Sequence, residues 1–380
     1  MKKKRQAIVH IGHKKTGTSF IQRHLHRNRA ALHEQGVLYP MREANHSFAL
    51  SGLFKQHDLA RAPSPLDNYL AAGDKARRAL DAELAGSDWR QLVLSAESLC
   101  GFSRRELDGL NGWLGQHVAT VQIIFVIRDP VDWAVSVAQQ YLKTRGDVDA
   151  VLAEPDDVQW SKIIKRFRRV FGPDAVTVLE YEELATERAH FAARFARAVG
   201  LPPSLDAVLK SAEGGANESL SMEAALMLGR YNARVPQRID DARNPARNGF
   251  EPRVFAGLPG QRFDLPQPAR LKAYAQSRDD VAFVAREFGI TRYSYGPGKV
   301  APSRYTEAVS TAYLDALTDR VMEINAASHA SRMLLDAQRC TLTGDADGAA
   351  AAIRAAAHRF PGDRRVARAL AGLKPRGERD

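Results

Sequence analysis

A lysine between two glycines, with hydroxyls arriving beside it, is suited to gripping an anion. The segment Gly12-His13-Lys14-Lys15-Thr16-Gly17-Thr18-Ser19 has that make-up. The apolar residues 7–11 before it and the helix-like FIQRHLHRNRAALHEQ after it predict a strand, a glycine-punctuated turn and a helix N-terminus. The first helical N–H groups have no partner in the chain and point outward. Phosphate, or a group of its shape, is the expected guest. Lys15 supplies the charge, with Lys14 as the second choice.

The turn departs from the nucleotide-binding loop G-x-x-x-x-G-K-[ST]. Gly12 and Gly17 have the right separation, but Thr18 stands where that loop carries its lysine, and Lys15 lies inside the loop instead. A magnesium-dependent phosphotransferase also needs an acidic residue at a later strand tip. The next strong strand, 91–95, runs into Ser95-Ala96-Glu97 with no Asp at its tip. The loop therefore suits a phosphate-like group without an obvious metal partner.

A second signal lies at 121–143, VQIIFVIRDPVDWAVSVAQQYLK. Ile123 to Ile127 is apolar and β-branched without alternation, as in a parallel strand covered on both faces. Asp129 suits an N-cap and Pro130 the first helical position. Ser136 follows Asp129 by two helical turns, so both project from one face. Arg128 at the strand end and Ser136 on the helix can converge on a second phosphate. Arg128 could instead pair with Asp129 or Asp132, and Ser136 could be a small contact residue.

Together these segments resemble the sulfotransferases that use 3′-phosphoadenosine 5′-phosphosulfate (PAPS). There a K-x-G-T-[ST] loop holds the 5′-phosphosulfate and an R-[DN]-P-x(5)-S element holds the 3′-phosphate. Lys15-Thr16-Gly17-Thr18-Ser19 and Arg128-Asp129-Pro130 with Ser136 match them in order. The wording of the first motif through Gln22, the stretch Val176–Leu184 and Asn217-Glu218-Ser219-Leu220-Ser221 are similar to the bacterial branch. The likeness is clear over about 5–225 and fades towards 295. It implies a P-loop-like α/β fold, PAPS as co-substrate and no metal. Lys15 would stabilise the leaving phosphate, while Thr16, Gly17, Thr18 and Ser19 cradle it through N–H and hydroxyl groups. Arg128 and Ser136 would take the 3′-phosphate. The acceptor hydroxyl needs a base. Glu97 at a strand tip is favoured over His46 in the loop after strand 2, because a strand tip is the more rigid mount. A salt-bridge role for Glu97 and a substrate hydrogen bond from His46 are the competing readings. A carbohydrate or glycolipid hydroxyl is the family-level acceptor.

These residues need a scaffold, and the hydrophobic pattern supplies one. Strands are expected at 7–12, 36–40, 91–95, 121–127 and 175–180. Helices are expected at about 17–35, 67–85, 103–116, 130–144, 157–171 and 187–199. Alternation of this kind implies a mostly parallel sheet with helices on both faces and ligands outside the strand C-terminal ends. Residues 41–66 read as loop, with a Pro63-Ser64-Pro65 breaker. Prolines between 236 and 268 suggest a lid or connector within a less regular 202–300, before a helix at 269–288. Residues 1–295 form the expected sulfotransferase domain and 300–380 a helical extension, in which 327–373 resembles one tetratricopeptide-like hairpin with a third helix. A single unit cannot form an array, so a helical cap or homodimer contact is expected there.

Composition agrees. Lys and Arg number 55 against 44 Asp and Glu, a net charge of +11, which suits a polyanionic donor. No basic stripe interleaved with aromatics points to nucleic acid. The two cysteines, Cys100 and Cys340, give no disulfide framework and suit a reducing, cytoplasmic compartment. The apolar run near the start, broken by His10, is too short for a signal segment, and no stretch is long enough for a membrane span. Two rivals stand beside the main reading. One is a P-loop kinase of a small metabolite; the other is a non-catalytic nucleotide-binding scaffold.

Overall fold

The structure is a computed structural model that describes residues 5–40, 43–55, 77–86, 88–143, 147–210, 219–239, 242–244, 251–306 and 309–373. Five parallel strands form its sheet: β1 (Gln6–His10), β2 (Val37–Leu38), β3 (Gln91–Ser95), β4 (Thr120–Ile127) and β5 (Val176–Glu180). Their spatial order is β2-β3-β1-β4-β5. β1 is central, with Ile8 paired to Val93 on one side and Gln122 on the other. The fold is thus the expected α/β class.

Strand alternation divides the core into two layers. Ala7 and Val9 of β1 and Ile123, Phe125 and Ile127 of β4 face one apolar cluster, whereas Ile8, Ile124 and Val126 face the other. The second layer is covered by α1 (Thr18–Arg27) through Phe20, Ile21 and Leu25. The first is covered by α2 (Ser47–Phe54), α3 (Arg104–His117) and α4 (Pro130–Leu142). Packing on both faces explains why β4 reads as a continuous apolar run.

The β4–α4 junction forms as its residues dictate. The Asp129 carboxylate accepts the N–H groups of Val131 and Asp132, and Pro130 opens the helix. Ser103 likewise caps α3 in a reciprocal capping box with Glu106. α5 (Trp160–Phe171) buries Trp160, Ile163, Ile164 and Phe167, so the amphipathic pattern is real, although it starts three residues later than expected. α6 (Phe191–Ala198) closes the alternating pattern.

Several boundaries differ. The helix expected over 17–35 breaks at Asn28, whose N–H returns to His24 O at 3.2 Å. Part of the expected 41–66 loop is the helix α2, because Ala49, Leu50 and Phe54 are buried in the core. α7 (Met222–Arg234) lies in the region read as irregular; Met222, Ala224, Ala225 and Leu228 pack into the core. The expected 269–288 helix is α8 (Gln267–Phe288). Of the helix expected at 67–85, only 77–85 falls within the described residues, and it is helical there. Pro63-Ser64-Pro65, Pro245, Asn217 and Glu218 lie outside them.

The C-terminal unit comprises α9 (Thr311–Leu342), α10 (Ala346–Arg359) and α11 (Arg364–Ala371). Ala330, Ala356 and Val366 form its small core. Yet α9 begins inside the main body, where Tyr313 is fully buried in the large cluster. Packing therefore continues across the junction expected near 300. Among the described residues no helix is long and apolar enough to cross a membrane.

Candidate active site

The loop after β1 turns its carbonyls away from its mouth. The His13 carbonyl accepts the Thr16 and Thr18 hydroxyls at 2.6 and 3.3 Å. The Lys14 carbonyl accepts Trp133 Nε1–H at 2.7 Å, and the Lys15 carbonyl accepts Arg128 Nη1–H at 3.2 Å. The Gly12 carbonyl takes the Cys100 thiol. Gly12, Lys15 and Gly17 adopt positive φ of 63, 68 and 82°, which reverses successive peptides. Among the described residues, the N–H groups of Lys14, Lys15, Gly17, Thr18 and Ser19 have no acceptor. Such a row of N–H groups at a helix start makes an anion-binding concavity. Lys15 is not glycine, so its left-handed backbone is a local strain held in place by the carbonyl bonds around it.

The two threonine hydroxyls are partnered within the site: Thr16 donates to the His13 carbonyl, and Thr18 reaches both that carbonyl and the Glu97 carboxylate, since a buried hydroxyl must find an acceptor. Their contribution to a guest would come from backbone N–H. Ser19 is exposed.

A cavity of about 520 Å³ opens beside the loop. Lys15, Gly17, Arg128 and Ser136 all line it. Asp132, Val135, Ser136, Gln139 and Lys143 line its long wall, the spacing of one helical face of α4 and its cap. Phe20, Tyr181 and Phe191 form an aromatic wall, and the Arg128 guanidinium lies 4.9 Å from the Tyr181 ring centre. Arg262 adds a fourth cation.

The cations act on one another. Burial, aided by the charges of Lys143 and Arg128, brings the Lys15 ammonium down to about 8, against the opposing pull of Glu97. Lys15 Nζ donates to Gln140 Oε1 at 3.1 Å. Lys14 is directed elsewhere: its ammonium meets Asp156 Oδ2 at 2.5 Å and the Tyr141 hydroxyl at 2.7 Å. Of the adjacent pair, Lys15 is the one offered to the cavity.

The two candidate bases differ in surroundings. Glu97 opens the short turn Glu97–Gly101 after β3. Burial raises its carboxyl, while Lys15 and the Thr18 hydroxyl pull it back down. Its Cγ would sit 3.1 Å from a methyl group added to Gly12, so the carboxylate borders the loop itself. His46, expected in a rim loop, instead caps α2 and is fully buried. Its Nδ1 accepts the Ser95 N–H at 3.2 Å, and burial lowers it to about 3. Packing beneath the β3 tip closes it off from the cavity, which corrects the expectation of a base at the rim.

Lys143, Arg262, Tyr181 and Trp133 were not singled out from the sequence. Lys143 had a signal, since it follows Ser136 by seven residues on the same helical face. Arg262 had none. Among the described residues, no group of three or more His, Cys, Asp or Glu converges as a metal site would require.

Gly17 carries the tightest steric constraint of the loop. A β-carbon there would meet Phe191 Cζ at 2.5 Å, at a φ that L-residues avoid. Gly17→Ala should lower unfolding stability by about 2–4 kcal/mol, from left-handed strain plus overpacking. Urea denaturation checks this; a midpoint equal to the parent's would refute it.

No family model matches the chain, and no curated protein matches it. A solved sulfotransferase structure from Alicyclobacillus acidocaldarius is similar over 52% of this chain and 82% of that one, with 18% identity and a TM-score of 0.34.

Proposed function

We propose that the chain transfers a sulfuryl group from PAPS to a hydroxyl acceptor, a carbohydrate or glycolipid by family-level resemblance. One observation supports this above the rest. Lys15 and Arg128 come from segments 113 residues apart, yet they line one cavity and are joined by the Arg128–Lys15 carbonyl hydrogen bond. The loop N–H groups and Lys15 would take the 5′-phosphosulfate. Arg128 and Ser136 would take the 3′-phosphate.

The acceptor oxygen attacks sulfur in line as the bond from sulfur to the 5′-phosphate oxygen breaks. Glu97 receives the acceptor proton, a role its raised carboxyl fits. Lys15 stabilises the charge gathering on the departing phosphate, as fixed cations do in phosphoryl transfer. The adenosine bisphosphate leaves as a stable anion.

A thermal-shift panel with adenosine 3′,5′-bisphosphate, AMP and ATP, each with and without magnesium, tests the reading. The bisphosphate should stabilise most, by about 2.7 kcal/mol at a hundredfold excess over Kd, without magnesium. A larger shift with ATP and magnesium would favour a metabolite kinase. Binding of the bisphosphate without any sulfuryl transfer from labelled PAPS to cell-extract acceptors would favour a scaffold.

A further inference from the structure

Arg128 stands one residue from a carboxylate that could neutralise it. The structure keeps that carboxylate occupied. Asp129 Oδ1 accepts the N–H groups of Val131 and Asp132, each at 3.0 Å. Asp129 Oδ2 accepts the Tyr295 hydroxyl at 2.7 Å. The Asp129 N–H donates to Glu182 Oε1 at 2.9 Å, and Glu182 Oε2 accepts the Tyr293 hydroxyl at 2.6 Å. Arg292 pairs with Glu183 at 2.7 Å and reaches Glu180 at 3.7 Å.

Asp129, Glu180, Glu182 and Glu183 are thus matched by one strap, residues 292–295, drawn across the ends of β4 and β5; Asp132, which also lines the cavity, makes no ion pair with Arg128. The strap is itself anchored. Tyr293 is 1% exposed and its ring lies 5.6 Å from Trp160; Tyr295 stacks on Tyr274 at 5.5 Å. Burial and the neighbouring carboxylates raise both tyrosine hydroxyls, so they remain donors. Among the described residues Arg128 makes no ion pair; it bonds only the Lys15 carbonyl and lies against Tyr181. A guanidinium left unpaired in a cavity is free for a phosphate, which it can grip through two N–H groups at once.

We propose that Tyr293 and Tyr295 are positioning residues, acting through Glu182 and Asp129 to keep Arg128 unpaired and aimed at the donor's 3′-phosphate. This rests on the assignment of Arg128 made above. Removing the Tyr295 hydroxyl frees Asp129 Oδ2 to turn towards Arg128 and compete with the phosphate.

Isothermal titration of the full chain with adenosine 3′,5′-bisphosphate and with AMP tests both layers. The parent should prefer the bisphosphate by about a hundredfold, and Arg128→Ala should erase most of that preference. Tyr295→Phe should cut the preference about tenfold with AMP affinity unchanged. Adding Asp129→Asn to Tyr295→Phe should restore part of it, because asparagine still caps a helix but carries no charge. Tyr293→Phe acts in the same direction and serves if the Tyr295 variant fails to fold. If Tyr295→Phe or Tyr293→Phe melts earlier yet keeps the parental preference, the tyrosines are merely structural and the proposal is overturned. If the parent shows no preference, or Arg128→Ala retains it, the Arg128 assignment itself fails and takes the strap with it.

Discussion

Lys15→Ala is expected to slow sulfuryl transfer about 10²–10³-fold at saturating donor, the usual cost of removing one fixed donor from a developing oxyanion. Lys14 cannot replace it, because its ammonium is held by Asp156 and Tyr141. The pH profile makes the same claim independently. Lys15 is held down to about 8 in the unliganded protein. As pH rises through that value, the ammonium loses its proton and with it the attraction for the donor. kcat/KM, which reports the free enzyme, should therefore fall about tenfold per pH unit above pH 8. kcat should fall less, because a bound polyanion favours the charged lysine. Lys15→Arg should keep a low activity that stays flat through this range, since guanidinium does not titrate there. Initial rates with PAPS and a labelled acceptor check both variants. A Lys15→Ala variant with near-parental turnover would sink the assignment.

The parts of the site legible in the sequence are those written locally. The strand–turn–helix around Lys15 and the cap at Asp129-Pro130 depend on residues within a few positions of one another. Contacts between remote segments leave no such trace. Asp156 selects between Lys14 and Lys15 from 142 positions away, and Tyr295 reaches Asp129 across 166. Neither partner has a local pattern that announces the other. The same applies to His46: Asn45-His46-Ser47 looks like a polar loop, but the burial of Ala49, Leu50 and Phe54 draws it under the sheet. α7 is obscured in the sequence by the prolines that crowd the segment just downstream of it. The expectation of a separate helical extension also has a local basis, the alanine-rich composition after 300. The anchoring of Tyr313 in the main core does not, since one tyrosine in a long helix carries no hint of what buries it.

Stability should collapse in mild acid. His10, His13 and His46 are 0, 7 and 0% exposed, and burial lowers each to about 3. Each is built in as a neutral ring. His10 Nδ1 lies 2.9 Å from the Ser95 hydroxyl, His13 stacks on Trp133 at 4.7 Å, and His46 Nδ1 must stay unprotonated to accept the Ser95 N–H. In the unfolded chain these imidazoles take up protons near 6.5. Between pH 6.5 and 3 the unfolded state therefore binds more protons, and stability falls as pH falls. Each histidine costs about 2 kcal/mol by pH 5, so the three together remove about 6 kcal/mol, a large share of an ordinary domain's 5–15 kcal/mol. The raised carboxyls of Glu97, Asp157 and Glu180 act with the opposite sign and soften the lower end of the window. Urea denaturation at pH 7, 6 and 5 should show the midpoint dropping at each step. His46→Gln, whose amide oxygen can still accept the Ser95 N–H, should lower stability at pH 7 but flatten the slope by about a third. A midpoint unchanged from pH 7 to 5 would mean that the three rings are not held neutral, and that the polar layer behind the β1 and β3 tips is packed differently.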